Sequence, residues 1–377
     1  MAELALTDLP PTTTWTNWVG NQSFTPGFAA APRDDEEVAA LVRQAAERGA
    51  GVRVAGAGHS FTPIVQTDGL LLDVAALRGV TATDAQRKRA RARAATPIRD
   101  FYEPLWSAGL ALRNQGDIDT QQIAGAVSTA THGSGIGNTS LSGVVRGVRL
   151  VTAAGELREI GEDEPELLRA AQVAVGMLGV ITELELKVTD AYRLKEQVDV
   201  WPWDEVMDRW EELVHEHRHF GFFWLPSEES GALYNLESHG RRMADQCYVK
   251  IYDEPAPDEP DDATEGHRVD RCYRIYPMVY DPNFHELEYF VALERAPEAL
   301  QAMRELMLAS LPDSIYPLEV RTVGADDAFL SSQHGTDTVV ISVSGTPGTD
   351  YWGYLRSVDA LLAGFGARVH WGKLHFL

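Results

Sequence analysis

The sequence predicts an α+β protein with two domains. The chain of 377 residues is longer than one ordinary hydrophobic core supports. Apolar residues make up 44% and charged residues 24%, as in a typical globular protein. Helical and alternating patterns both recur, and tryptophans begin to cluster soon after residue 188. We therefore expect a first domain over residues 1–188, with 366–377 returning to it, and a second domain over 189–365.

The elements predicted for the first domain begin with a helix after Asp34. Asp34 can cap this helix, Glu37 stands three residues later as in a capping box, and Gly49 ends the helical spacing. Apolar or alternating runs then predict the strands 52–54, 70–72, 148–151 and 184–188. Another helix pattern covers 97–110. Helices and strands therefore intermix in this half of the chain.

The second domain is expected to combine a sheet with helices. Helix patterns cover 203–219 and 297–311, and alternating runs predict strands at 286–292 and 318–322. Residues 253–265 contain seven acids and three prolines, which predicts a solvated loop.

His215 and His219 would share one face of the helix predicted over 203–219, at a spacing that can bind zinc. No cysteine or further acid cluster accompanies them, so we expect a solvated helix face and no metal site.

Charge and composition exclude several classes of partner. The formal net charge of −23 disfavours nucleic acids and anionic membranes. No run of 18 apolar residues occurs, so no membrane span is expected. The N-terminus lacks the basic and apolar pattern of a signal peptide, which favours the cytoplasm. A bridge between Cys247 and Cys272 remains open, although two inert thiols are expected in that compartment.

Three glycine-rich segments predict a site for a phosphate-containing ligand. The first follows the strand 52–54 and contains Gly56 and Gly58, which let backbone N–H groups approach a phosphate. Phe61 replaces the third glycine of a nicotinamide-type fingerprint. The second segment, IAGAVSTATHGSG at 123–135, offers N–H groups and hydroxyls to a diphosphate. The third, GMLGVIT at 176–182, leads into a strand.

These motifs resemble the flavin domain of the vanillyl-alcohol oxidase superfamily. His59 follows the first glycine turn, in the GHSF motif, where the matching histidine of the superfamily is bonded covalently to FAD. The resemblance implies a PCMH-type FAD-binding domain followed by a mixed-sheet substrate (cap) domain. It also implies that FAD is bound covalently at His59 and held by Arg53, Gly56, Ala57, Gly58, Ser60, Phe61, Gly116, Ile118, Gly125, Ser128, Thr129, Thr131, His132, Gly133, Gly135, Gly179 and Ile181.

Further motifs resemble the sugar-oxidising branch of this superfamily, the aldonolactone and alditol oxidases. They are NQGDI at 114–118, Glu319-Val320-Arg321 and HWGK at 370–373. Glu319 and Arg321 occupy alternate positions of a strand and therefore point to one face. Without a functional role they would be expected to form a surface ion pair of little energetic value. The resemblance implies that Glu319 orients substrate hydroxyls, while Arg321 and Lys373 stabilise the negative charge of the reduced flavin.

The sequence departs from this branch at several site positions. Asp117 stands where alditol oxidases have serine, Ser342 where they have histidine, and Ser344 where they have threonine. We expect both serines to bind substrate, and Asp117 to act as a base, to bind a hydroxyl or to point away. Gly116 matches the glycine that gives oxygen access to flavin, where a related dehydrogenase has alanine.

The expected reaction is oxidation of an aldonolactone or alditol. Hydride passes to flavin N5, with Asp117 or Glu319 as the candidate base, and O2 reoxidises the flavin to give H2O2. One alternative is a dehydrogenase that passes electrons to a cytochrome or quinone, and another is an inactive flavin- or sugar-binding module. Family members usually continue beyond the HWGK motif, which leaves open whether this chain is truncated or lacks the tail.

Overall fold

The structure, a computed structural model, describes residues 6, 9–238, 240–310 and 316–377. Within these residues the α-helices are α1 Asp35–Glu47, α2 Tyr102–Ser107, α3 Ile123–Ser128, α4 Pro165–Gln172, α5 Trp203–Asp208, α6 Trp210–Glu216, α7 Cys272–Ile275, α8 Ala296–Ser310 and α9 Trp352–Ala363. None of these helices is both long and apolar enough to cross a lipid bilayer.

The strands of the described residues form five sheets. They are β1 Trp15–Thr16, β2 Ser23–Phe24, β3 Phe28–Ala30, β4 Val52–Ala55, β5 Leu70–Asp73, β6 Val80–Asp84, β7 Arg89–Arg93, β8 Leu110–Ala111, β9 Val145–Val151, β10 Leu157–Gly161, β11 Val180–Lys187, β12 Thr189–Asp190, β13 Arg193–Pro202, β14 His219–Leu225, β15 Gln246–Asp253, β16 Val269–Arg271, β17 His285–Ala292, β18 Leu318–Val323, β19 Thr338–Gly345 and β20 Arg368–Val369.

The first half of the chain builds a small parallel sheet and a larger antiparallel sheet. Strands β3, β5 and β4 pair in parallel, and β10, β9, β11, β7 and β6 form the antiparallel sheet. Helix α1 begins as predicted, because the Asp34 carboxylate accepts the Glu37 N–H at 2.9 Å. Its apolar stripe, which includes Val38 and Leu41, is buried against β5 and its neighbours. The predicted strands at 52–54, 70–72, 148–151 and 184–188 are all confirmed.

The second half is dominated by an eight-stranded sheet of order β16-β13-β15-β14-β18-β19-β17-β20. One face is apolar and packs against α5, α6, α8 and α9. The opposite face is polar around β18, because alternate residues of a strand point to opposite faces. The register aligns Glu319 with Ser342 and Ser342 with Glu288, so that three neighbouring strands present one polar row. This row forms one wall of the candidate site.

Two predicted helices differ from the structure. The pattern over 203–219 forms two short helices, α5 and α6, that meet at Arg209. The shared-face prediction for His215 and His219 is therefore wrong: His219 begins strand β14 and is buried, since the sheet takes up this apolar segment. The pattern over 97–110 forms a 3-10 turn and α2, and Gly109, at a φ of +72°, ends it before β8.

The remaining predictions for the second half hold within the described residues. Helix α8 covers the predicted range to residue 310, and Leu311 lies outside the described residues. The predicted loop 253–265 begins one residue late, since Asp253 ends β15; residues 254–265 contain no helix, and a β-bridge joins Asp262 to Val269. Cys247 and Cys272 are free and buried, and burial raises the thiol pKa of Cys272 to about 11. The thiols are therefore protonated and unreactive at neutral pH.

The final residues of the chain contact both halves. Strand β20 pairs with β17 at the edge of the eight-stranded sheet. Three positions after β20 ends lies Gly372, whose carbonyl accepts the Phe61 N–H at 2.8 Å. Thr62 Oγ1 donates to the Trp371 carbonyl at 3.1 Å. These bonds place residue 373 beside the first glycine turn. The exact boundaries of the two domains stay a prediction.

Candidate active site

A long cavity runs between the glycine-rich turns of the first half and the polar face of the eight-stranded sheet. The third glycine segment, the residues after β4 and the segment around α3 form one side of it. Most of the predicted cofactor residues line this cavity: Arg53, Gly56, Ala57, Gly58, His59, Ser60, Gly116, Ile118, Gly125, Ser128, Thr129, Thr131, His132, Gly179 and Ile181.

The glycines of this cavity have two separate physical roles. Gly58 has a φ of +72°, and Gly179 has a φ of +142° with a Cβ position only 2.2 Å from the Val151 carbonyl oxygen, so both turns need glycine. Gly125 is different, because a Cβ there would meet no protein atom within 4 Å. A side chain at Gly125 would instead fill the cavity. This space fits a ligand that approaches the backbone closely, as a dinucleotide phosphate does.

Three predicted cofactor residues do not line the cavity. A Cβ at Gly133 would lie 2.1 Å from the Gln115 carbonyl oxygen, and one at Gly135 would lie 2.0 Å from the Arg218 carbonyl oxygen. These two glycines are required by packing inside the protein. Phe61 is 1% exposed and packs in the core of the second half.

The predicted substrate residues Ser342 and Ser344 are also buried and contact the site through partners. Ser342 Oγ donates to Glu286, a residue of the cavity wall. Ser344 Oγ accepts from the Tyr234 hydroxyl at 2.8 Å. Tyr234 lines the cavity, whereas the serines support its wall from behind.

His59 lines the cavity and has one ring nitrogen without a hydrogen-bond partner. Its Nε2 is 2.9 Å from Thr120 Oγ1, and its ring centroid is 4.8 Å from that of Trp18. Nδ1 is buried and has no hydrogen-bond partner. Burial, assisted by the charge of Lys373, lowers the His59 pKa to about 4, so that the imidazole is neutral at neutral pH. A neutral ring with an unpaired nitrogen can form a bond to a ligand.

Arg321 is the centre of a buried ion cluster. Its guanidinium lies 2.7 Å from Glu288, 3.3 Å from Glu319 and 3.5 Å from Asp117. Buried charges of this kind require such partners, because removal from water is costly. Burial raises the pKa of Glu319 to about 7, although Arg321 opposes the shift, and the charges of Asp117 and Glu286 add to it. Glu319 can therefore take up or release a proton near neutral pH.

Lys373 supplies a second cation to the same cavity. Its ammonium pairs with Glu286 and lies 5.1 Å from the centroid of the Phe61 ring. Burial would lower the pKa of Lys373, but the carboxylates of Glu286 and Glu288 outweigh it and raise the pKa. Lys373 is therefore held as an ammonium beside the first glycine turn. The predicted residues Glu319, Arg321, Lys373 and Asp117 all line the one cavity.

Five polar residues that line the cavity near Arg321 and Lys373 are among those that the sequence did not predict. Tyr280 donates to Asp117 at 3.3 Å, and Tyr234, Glu286, Glu288 and His370 also line the cavity. One signal was available: Glu286 and Glu288 alternate inside an otherwise apolar strand, where unpaired acids would be costly. Their cationic partners, Arg321 and Lys373, are distant in sequence, so the role of the two acids could be recognised only from the fold.

Comparisons with known proteins agree with this arrangement. A family model described as "FAD binding domain" matches residues 26–161, and one described as "D-arabinono-1,4-lactone oxidase" matches 184–255 and 242–377. L-gulono-1,4-lactone dehydrogenase of Mycobacterium tuberculosis is 31% identical over 386 residues, which cover 96% of this chain and 90% of that protein. Alditol oxidase of a Streptomyces species is 29% identical, with coverage of 95% and 89%.

L-gulonolactone oxidase of Bos taurus is 24% identical over 95% of this chain and 88% of that protein. Among solved structures, a solvent-stable cholesterol oxidase superposes with a TM-score of 0.81 at 18% identity, covering 97% of this chain and 88% of that chain, which establishes the fold alone. The α+β, PCMH-type architecture is thus confirmed. The chain belongs to the D-arabinono-1,4-lactone oxidase family, and it is an FAD-dependent oxidoreductase of the aldonolactone and alditol oxidase branch of the vanillyl-alcohol oxidase superfamily.

Proposed function

We propose that this enzyme oxidises a primary or secondary alcohol of an aldonolactone or an alditol, with O2 as electron acceptor and H2O2 as product. One observation carries the proposal: Glu319, Arg321 and Lys373 line the same cavity as the three glycine-rich segments. Two cations and a carboxyl group with a pKa of about 7 suit removal of a hydride and a proton from an alcohol. The names of the relatives point to a sugar-derived substrate.

The cofactor and the side chains divide the chemistry. FAD, when bound, supplies the acceptor for the hydride of the carbinol carbon. Glu319 receives the hydroxyl proton on its carboxylate, and Arg321 holds this carboxylate at 3.3 Å. Asp117, which accepts from Tyr280, binds a further hydroxyl of the substrate. Lys373 and Arg321 provide the positive charge that stabilises the negative charge which the transferred hydride brings into the cavity.

We further propose that His59 forms the covalent link to FAD. Its support is the buried, unpaired Nδ1 on the cavity wall and the neutral state of the ring. The Thr120 hydroxyl at Nε2 orients the ring so that Nδ1 is the free nitrogen. A denaturing gel viewed under ultraviolet light after acid treatment tests this link. A dark protein band from a yellow, flavin-replete sample would exclude the bond.

Oxygen is favoured as acceptor by the small residue at position 116. Gly116 lines the cavity, and a Cβ there would stand 3.3 Å from the His132 carbonyl oxygen and from Thr131 Cγ2. A methyl group would therefore crowd His132 and Thr131, two residues that line the cavity. The second candidate is a dehydrogenase that uses a cytochrome or quinone, favoured by the name of the relative that is 31% identical. The buried, unbridged cysteines are compatible with our proposal of a cytoplasmic protein.

An anaerobic reduction experiment tests the function. The purified, yellow protein is mixed without oxygen with a panel of aldonolactones and alditols, and the flavin absorption band is followed. Bleaching with one of them, then recovery of colour and stoichiometric H2O2 on addition of air, is expected. Slow recovery in air with fast recovery on a quinone or cytochrome would assign the dehydrogenase. Absence of bleaching across the panel would contradict both and indicate a binding module.

A further inference from the structure

The His132 ring faces an oxygen acceptor at each of its two nitrogens. Nδ1 lies 2.8 Å from the Gly133 carbonyl oxygen, and Nε2 lies 2.9 Å from Glu288 Oε1. His132 is 4% exposed and Glu288 is 1% exposed, so that water does not separate these atoms. A neutral imidazole has one N–H donor and one lone pair, and a carbonyl oxygen has no proton to donate. One further proton must therefore lie between His132 and Glu288.

The remaining partners of Glu288 show where this proton resides. Glu288 Oε2 accepts from Arg321 at 2.7 Å, and His370 Nε2 lies 3.9 Å from Oε1. Burial would raise the pKa of Glu288, but the charges of His132 and Arg321 hold it well below its ordinary value. Glu288 is thus a carboxylate between cations, and the proton belongs to the imidazole. The other charged residues that line the same cavity are Arg53, Asp117, Glu286, Glu319 and Lys373.

A metal ion is the alternative cation for this position. Ligand atoms of His132, Glu288 and His370 lie within 4.8 Å of one another. However, His370 Nδ1 accepts the Gly372 N–H at 3.0 Å, so its single proton is on Nε2, the nitrogen that would have to bind the metal. Arg321 already occupies the second oxygen of Glu288. Tautomer and charge both favour a proton over a metal ion here.

We propose that His132 is an imidazolium bound to Glu288, and that Glu288 acts as a positioning residue which holds this cation and Arg321 together on the cavity wall. His132 and Arg321 both line the cavity. With Arg321, the His132–Glu288 pair carries a net positive charge where the proposed reaction, on which this role rests, develops negative charge. Neither residue needs to touch the reacting carbon for this effect. His132 is thereby assigned an electrostatic role in addition to the contact with the cofactor that the sequence predicts.

The substitution Glu288→Gln tests the pair with little change of shape. The introduced amide oxygen can still accept from Arg321, and its N–H can donate to Nε2 of a neutral His132. Histidine-selective 15N NMR of the flavin-replete protein reads the ring protonation directly. In the wild type His132 should show two protonated nitrogens, and in Glu288→Gln only one. His132→Gln assigns the signals by removing them.

His219 provides the matched reference inside the same protein. It is buried, its Nδ1 lies 2.9 Å from the Ser134 carbonyl oxygen, its Nε2 has no partner, and burial lowers its pKa to about 3. It should show one protonated nitrogen in every variant. A wild-type His132 spectrum like that of His219 would overturn the proposal, even if Glu288→Gln failed to fold. Stoichiometric bound metal that is lost in Glu288→Gln would overturn it as well.

Kinetics separate a positioning role from a merely structural one. Glu288→Gln should slow anaerobic flavin bleaching by about tenfold or more with KM little changed, since the carboxylate that fixes the positions of the His132 and Arg321 cations is lost. Unchanged bleaching with a neutral His132 would show that the imidazolium has no part in the reaction. The NMR experiment requires no turnover. A protein that oxidises no sugar of the panel would therefore contradict the proposed function, while the NMR spectra would still test the His132–Glu288 pair.

Discussion

The buried carboxyl group of Glu319 predicts how the oxidation depends on pH. Burial raises its pKa to about 7, against the opposing charge of Arg321 and with the help of Asp117. One pH unit below this value only about a tenth of the groups are ionised. As a base Glu319 acts in its ionised form, so kcat/KM for flavin reduction should increase about tenfold per unit below pH 7 and level off above it. The protonated form, in contrast, adds folding stability that is lost as the pH rises through the same value.

The substitution Glu319→Gln isolates this effect. The amide keeps the shape but accepts no proton, so kcat/KM should fall by about a hundredfold to ten-thousandfold and lose its inflection near pH 7. Anaerobic stopped-flow bleaching across the neutral range, with the substrate found by the panel, measures both quantities. Glu159→Gln is the matched control, because Glu159 is an exposed partner of Arg149 at 62% side-chain exposure. An unaltered inflection in Glu319→Gln would refute the assignment and direct attention to Asp117.

Three further substitutions follow from the structure, one of them with a matched control. Gly116→Ala should slow the reaction of the reduced enzyme with O2 more than it slows flavin bleaching, because its Cβ would lie 3.3 Å from the His132 carbonyl oxygen and from Thr131 Cγ2. A variant that reacts with O2 as fast as the wild type would contradict this. Gly133→Ala should lower the free energy of unfolding by about 2 kcal/mol or more, because its Cβ would lie 2.1 Å from the Gln115 carbonyl oxygen. Gly137→Ala is the control: its Cβ would meet no atom within 4 Å, so the free energy of unfolding should change by less than about 0.5 kcal/mol. Denaturant titrations measure both values. His59→Ala should remove protein-bound fluorescence from denaturing gels while FAD still binds reversibly.

The local signals of the cavity could be predicted from the sequence. Alternation predicted that Glu319 and Arg321 share one face, and strand β18 confirms it. The turn after β4 and the segment around α3 both line the cavity as expected, because glycine and small residues report close backbone approach directly. Signals of this kind depend only on residues that are adjacent along the chain.

What depended on register or packing could not be predicted. Glu288 belongs to the site because β17 pairs with β19 and β19 with β18, which a single strand pattern does not reveal. Gly133 belongs to a motif shared with flavin proteins, yet its nearest neighbours are Gln115 and Asn114. His219 follows a helical pattern but joins the central sheet, because tertiary pairing overrides local propensity.

The bonds between the first glycine turn and the last residues have a consequence for biosynthesis. Thr62 and Trp371 are separated by 309 positions, so their hydrogen bond closes a very long loop and forms late in folding. On the ribosome, helix α1 and its parallel strands can form before Lys373 is synthesised, because the whole second half of the chain lies between them. Capture of the cofactor in its final geometry is therefore expected only after residue 373 has left the ribosome.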